Sequence, residues 1–96
     1  VKAVLEFTGY FRMKTGRENF EAGFDDEKAT IFDLIVHAEN LLADCHFKVL
    51  DGTKLKDGVL VFFRNDNDGL ERIFDLSVQL SEVDGHVIMA NLMGGG

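Results

Sequence analysis

One segment of the chain, residues 30–45, reads as a long amphipathic helix, and everything around it reads as strand or turn. Ile31, Leu34, Ile35, Ala38, Leu41, Leu42 and Cys45 follow helical spacing and form one apolar stripe, with Asp33, His37, Asn40 and Asp44 on the opposite side. Thr30 followed by Asp33 resembles a capping box, with Asp where Glu is commoner, and acidic residues gather ahead of it. No second helix of this kind is predicted. The stripe must therefore be buried against a sheet, which the helix crosses.

The strands come from both sides of that helix. Residues 1–11 alternate, with Ala3, Leu5 and Phe7 on one face and Lys2, Glu6 and Thr8 on the other. Lys14-Thr15-Gly16-Arg17 is a turn, after which Phe20, Ala22 and Phe24 alternate with Asn19, Glu21 and Asp25. The pair reads as a hairpin. Beyond the helix, turns at Asp51-Gly52 and Asp57-Gly58 precede the run Val59-Leu60-Val61-Phe62-Phe63, which suits an interior strand covered on both faces. Asn65-Asp66-Asn67-Asp68-Gly69 is a loop, residues 70–80 hold a short strand or a helical turn, and Asp84-Gly85 turns into a final strand over 86–93. If the helical connection crosses over, the first and last strands lie side by side at the sheet centre. That is an α+β, β-grasp arrangement: a mixed sheet of four to five strands with one main helix across one face.

Composition narrows the function classes. Ninety-six residues make one domain, divided here as 1–93 for the folded part and 94–96 for a flexible glycine tail. Ten basic against seventeen acidic residues give a net charge of −7, which opposes phosphate-backbone binding and makes nucleic acid a poor partner. The single cysteine excludes an intrachain disulfide framework and a Cys-rich zinc site. No apolar run approaches a membrane span and no signal-peptide pattern precedes the first strand, so a cytoplasmic protein without membrane contact is expected. The absent initiator Met fits removal before Val1 or trimming of the chain.

Few side chains suggest chemistry. Cys45 lies on the apolar stripe, where a buried structural thiol is expected, and its neighbour His46 does not face it across a helix. His37 and His86 lack ligand spacing and read as surface residues. Asp66, Asp68, Gly69 and Asp75 fit positions of a calcium loop, but the cation Arg64 stands at its first ligand position. Asp25-Asp26-Glu27 reads as a solvated approach to the helix. No metal site and no catalytic residue is expected. If Arg64 and Asn91 mark the face of the sheet away from the helix, Leu60, Phe62, Val87, Met89 and Met93 share it and form an apolar partner patch. Ordinary burial on both sides of the strands is the alternative.

The end of the chain is different. Asn91-Leu92-Met93 runs directly into Gly94-Gly95-Gly96. Glycine loses the most conformational entropy on ordering and buries no side chain, so it finishes a fold poorly. As a swinging terminus it suits a narrow pocket that any Cβ would block, with the terminal carboxylate as the working group. A frayed end is the alternative.

The C-terminal third resembles the ubiquitin-like sulfur carriers, which include the small subunit of molybdopterin synthase, the thiamine sulfur carrier and the ubiquitin-related modifier. The resemblance rests on Gly58-Val59-Leu60-Val61, on Asn65-Asp66-Asn67-Asp68, on Leu80 with Asp84, and on the apolar strand through Leu92 and Met93 into Gly94-Gly95. The loop and the ending look closest to the ubiquitin-related modifier branch, while the first half matches only as fold pattern. The family ends at its Gly-Gly and this chain carries one glycine more. Either Gly96 is the reactive terminus, or Gly95 is and Gly96 is removed or an addition.

The resemblance implies a carrier or modifier that is not itself an enzyme. An E1-like partner would use ATP to adenylate the terminal glycine, and no cofactor would be bound by the chain. Sulfur attack would give a thiocarboxylate for molybdopterin, thiamine or tRNA thiolation, or the glycine would be joined to a target lysine. The large subunit of molybdopterin synthase or another sulfur acceptor would be a further partner. Gly94, Met93 and Leu92 would dock the tail, alongside the patch of Leu60, Phe62, Val87 and Met89. Two other readings remain at this stage: a β-grasp interaction module with an idle tail, and a small enzyme using Cys45 with a histidine.

Overall fold

A computed structural model describes residues 1–92 of the chain; Met93, Gly94, Gly95 and Gly96 lie outside the described residues. The chain begins with β1 (Lys2–Phe7), turns into a short helix α1 (Gly9–Thr15) and returns as β2 (Asn19–Gly23). The main helix α2 (Ile31–Leu41) follows, ending in a 3-10 turn at Ala43–Cys45. A small hairpin, β3 (Leu50–Asp51) and β4 (Lys54–Leu55), leads to β5 (Val59–Arg64) and β6 (Leu70–Ile73). A 3-10 turn at Leu80–Val83 then enters the last strand, β7 (His86–Asn91).

Five of these strands form one sheet in the order β2-β1-β7-β5-β6, with β1 and β7 parallel and their other pairings antiparallel. The first and last strands are thus neighbours at the sheet centre, and the fold is a β-grasp. The crossover between them carries α2, whose Ile31, Leu34, Ile35 and Ala38 are completely buried against Leu5, Phe7, Val87 and Met89 in one core. Burying a Leu or Ile side chain contributes about 1.5–3 kcal/mol, so this helix-on-sheet contact is a large contribution to the fold's stability.

The helix starts as its sequence predicts. Thr30 Oγ1 accepts from the Asp33 N–H at 3.2 Å, and Asp33 Oδ2 accepts from the Thr30 N–H at 2.9 Å. The next backbone donors are satisfied from outside the helix, Ile31 N–H by Val78 O and Phe32 N–H by Leu76 O. The far end departs from the predicted stripe. The chain leaves the α conformation at Leu42, so Leu42 turns into the core while Leu41 is 63 % exposed. Cys45 falls in the 3-10 turn and is only half-buried.

Two further expectations are corrected. The predicted strand over 1–11 stops at Phe7, and the tight hairpin is replaced by α1, which places Phe11 and Thr15 in the core one turn apart. Gly16, expected to turn a hairpin, instead ends α1 in the left-handed region at φ 68°, its N–H donating to Arg12 O. Phe11 and Phe7 both meet the buried Phe47 edge-on, with ring centres 6.0 and 5.4 Å away. The strand over 59–63 is interior but not covered on both faces. Val61 alone of β5 is buried.

Candidate functional site

The sheet's topology determines where the chain's end emerges. Because β1 and β7 run parallel, both finish at the same end of the sheet, beside α1. There the Met89 carbonyl accepts from the Thr8 N–H at 3.2 Å and the Thr8 hydroxyl at 2.9 Å. On its other side β7 pairs with the start of β5, Asn91 opposite Val59, and the Leu92 N–H donates to Gly58 O at 2.6 Å. Leu92 itself is 70 % exposed. The backbone is therefore held up to the last described residue, at an exposed end of the sheet. A groove of about 400 Å³ lies alongside, lined by Lys56, Gly58, Arg72 and Phe74 among others. The predicted reactive residues Gly95 and Gly96, with Gly94 and Met93, fall outside the described residues.

The face of the sheet away from α2 is partly apolar, but its membership differs from the sequence reading. Leu60 stands opposite Ala90, and Phe62 opposite Ile88, so these four share the outer face, where Leu60, Phe62 and Ala90 are half-buried. Val87 and Met89 have 0 % exposure and lie beneath α2, which corrects their assignment to the exposed patch. Asn91 pairs with Val59, one of the residues packed on the core, so only Arg64 marks the outer face as expected. The error is a slip of one residue, which moves every side chain of a strand to the other side. Ile88, at 5 % exposure, is buried on the outer face yet stands outside the core cluster.

Charges frame that face. On the β1 side His86 Nε2 lies 3.0 Å from Glu6 Oε1. On the β6 side Arg72 stands opposite Phe62, its guanidinium 4.6 Å from the ring of Phe74, which is 79 % exposed.

The remaining sequence candidates do not converge. Cys45 Sγ lies 3.9 Å from Thr15 O, the carbonyl that would accept its weak S–H bond. His37 is half-buried rather than a free surface residue, meeting Phe20 and Phe24 edge-on at 5.8 and 5.7 Å. His86 pairs with Glu6, and His46 ends the 3-10 turn in the left-handed region. Among the described residues no group of three or more His, Cys, Asp or Glu is placed to hold a metal ion. The loop between β5 and β6 is closed by its own Asn65, whose Oδ1 accepts from the Asn67 and Gly69 N–H groups at 2.9 Å each. Asp75 lies beyond it and accepts from the Ser77 hydroxyl at 2.6 Å and the Ser77 N–H at 2.9 Å, which holds its carboxyl below the usual carboxylate range. No helix among the described residues is long and apolar enough to cross a membrane.

Sequence reasoning missed α1 altogether, and with it the exposed Tyr10 and Met13 near the end of β7. The available signal was the four-residue spacing of Phe11 and Thr15 ahead of Gly16, one helical turn with a C-terminal glycine.

No protein-family model matches the chain, and no curated protein does. Two solved structures share its fold. The crystal structure of SAMP1 from Haloferax volcanii superposes with a TM-score of 0.76 at 14 % identity, covering 100 % of both chains. The solution structure of the HVO 2177 protein from Haloferax volcanii superposes with a TM-score of 0.63 at 17 % identity, covering 100 % of this chain and 87 % of that one. At such low identity the likeness speaks for the fold, and the fold is the ubiquitin-like β-grasp.

Proposed function

We propose that the chain is a ubiquitin-like carrier or modifier whose terminal glycine is the reacting group, with residues 1–93 as its presenting domain and 94–96 as its reactive tail. The observation that carries this reading is the course of β7. The central strand is held by hydrogen bonds on the β1 side as far as Met89 and on the β5 side as far as Leu92, at an exposed end of the sheet, and the sequence continues into Met93 and three glycines.

A carboxylate is a poor acyl donor because oxide is a poor leaving group. An E1-like partner solves this with ATP: the terminal carboxylate attacks the α-phosphate, pyrophosphate leaves, and an acyl-adenylate forms. A sulfur nucleophile then displaces AMP and leaves a thiocarboxylate, or the activated acyl group passes to a target lysine with an isopeptide bond as product. The sulfur would go to molybdopterin, thiamine or tRNA thiolation, with the large subunit of molybdopterin synthase as one acceptor. The chain itself supplies no catalytic group and no cofactor; ATP belongs to the partner. Gly95 or Gly96 reacts, and Gly94, Met93 and Leu92 enter the partner's channel. Leu60 and Phe62, joined by Ile88 and Ala90 in place of Val87 and Met89, dock against it. The compartment is the cytoplasm, where ATP and the E1-like partner meet the chain.

The test is ATP–pyrophosphate exchange catalysed by the E1-like enzyme of the same cells. Exchange with the full chain and none with a chain ending at Met93 supports the reading. Equal exchange with both, or none with either, rejects it.

The half-buried apolar face formed by Leu60, Phe62 and Ala90 favours a second reading, a non-catalytic interaction module with an idle tail. Binding to a partner that survives deletion of 94–96 while exchange is absent selects it.

A further inference from the structure

The outer sheet face does not account for the apolar surface beside the chain's exit. Helix α1 buries Phe11 and Thr15 and leaves Met13 81 % and Tyr10 48 % exposed. Tyr10, Met13 and Lys14 are spaced to share one face of the helix, and the Lys14 Nζ lies 5.8 Å from the Tyr10 ring centre. Tyr10 and Met13 together make an exposed apolar spot, and Met, Tyr and Arg are enriched in interfaces relative to the rest of a protein surface. Packing does not require it. Phe11 and Thr15 already anchor the helix.

Charge says what would cover this ridge. Between Glu6 and Glu18 every charged side chain is positive, Arg12, Lys14 and Arg17, and all three are exposed. The whole chain carries −7, so this segment is a cationic stretch of an acidic chain. Its position is equally specific. Thr8, which leads into α1, holds the Met89 carbonyl, so the ridge stands beside the strand that continues into the tail. Any protein that grips residues 93–96 approaches this end of the sheet.

We propose that Tyr10 and Met13, with the exposed Arg12, Lys14 and Arg17 of the same segment, form the docking ridge for the activating enzyme, which presents an apolar recess with an acidic rim. This rests on the carrier reading above and adds the surface that aligns the tail. The outer sheet face supplies area; the ridge supplies orientation and long-range attraction.

The experiment is ATP–pyrophosphate exchange by the E1-like enzyme of the same cells, with the carrier concentration varied, for the full chain and for Met13→Asp, Lys14→Glu and Lys28→Glu. Lys28 is exposed in the segment leading to α2, so its variant carries the same charge change away from the ridge. Met13→Asp and Lys14→Glu are expected to raise KM for the carrier about tenfold with kcat unchanged, which equals about 1.4 kcal/mol of docking free energy. Lys28→Glu is expected to leave both near the original values. High salt should raise KM for the unaltered chain and do so less for Lys14→Glu. Thermal melts of the variants establish that the exposed substitutions leave the fold intact. Exchange with the unaltered chain but the same KM for Met13→Asp and Lys14→Glu overturns the ridge and leaves the carrier reading standing. No exchange with the unaltered chain overturns both.

Discussion

Phe62 and Ile88 face each other directly across β5 and β7 on the side of the sheet away from α2, while Val61 and Met89, the adjacent pair, face each other beneath the helix. The two pairs therefore carry different burdens. Met89→Ala empties a fully buried site and is expected to cost about 2–5 kcal/mol in urea unfolding, whereas Phe62→Ala should cost clearly less. Phe62→Ala should instead weaken association with the partner that recognises the outer face. Equal stability losses for the two variants would contradict the assignment of faces.

Gly85 fixes the entry into β7. Its φ is +71°, and a Cβ there would come within 2.3 Å of the Lys2 carbonyl oxygen. That oxygen is backbone and has little room, because the neighbouring Val4 N–H donates to Gly85 O at 2.7 Å. Gly85→Ala is therefore expected to destabilise the protein by more than about 1–3 kcal/mol, the cost of left-handed strain alone. Gly16→Ala, also at positive φ but with open space around it, should show the strain without the clash. Chemical denaturation of the two variants checks the difference.

Asp75 supplies a pH prediction of definite sign. The bonds from the Ser77 hydroxyl, and then from its N–H, depress the folded-state pKa. A depressed carboxyl pKa contributes stability above the unfolded value and loses it as pH falls through the folded value. Ser77→Ala removes the stronger of the two bonds, so the Asp75 titration followed by NMR should move upward toward the ordinary carboxylate range. An unmoved titration would show that the hydroxyl is not bound in solution.

The parts of the fold that were legible in the sequence were those with a clean period. Thr30, Asp33 and the apolar spacing after them gave α2 and its cap, and alternation gave β1, β2 and the central pairing of first with last strand. The outer face was not legible because Val87, Ile88, Met89 and Ala90 are all apolar, so β7 carries no alternation to orient it. Only its register with β5 decides, and register is a tertiary fact. Helix α1 was missed because Tyr10 and Phe11 extend the β-prone pattern of β1, and Gly16 suits a turn as well as a helix end. Among candidate site residues, Leu60 and Phe62 landed on the expected face, Val87 and Met89 did not, and the glycines lie beyond the described residues.

The central claim is that the last glycine is an activated acyl group. Its most direct test is the intact mass and C-terminal peptide sequence of the protein after incubation with ATP, a sulfur donor and the E1-like enzyme of its own cells. The account predicts a mass gain equal to sulfur replacing one oxygen, located on Gly95 or Gly96 and absent when ATP is withheld. A terminal carboxylate unchanged in every fraction, with the enzyme shown to be active on another carrier, would contradict it.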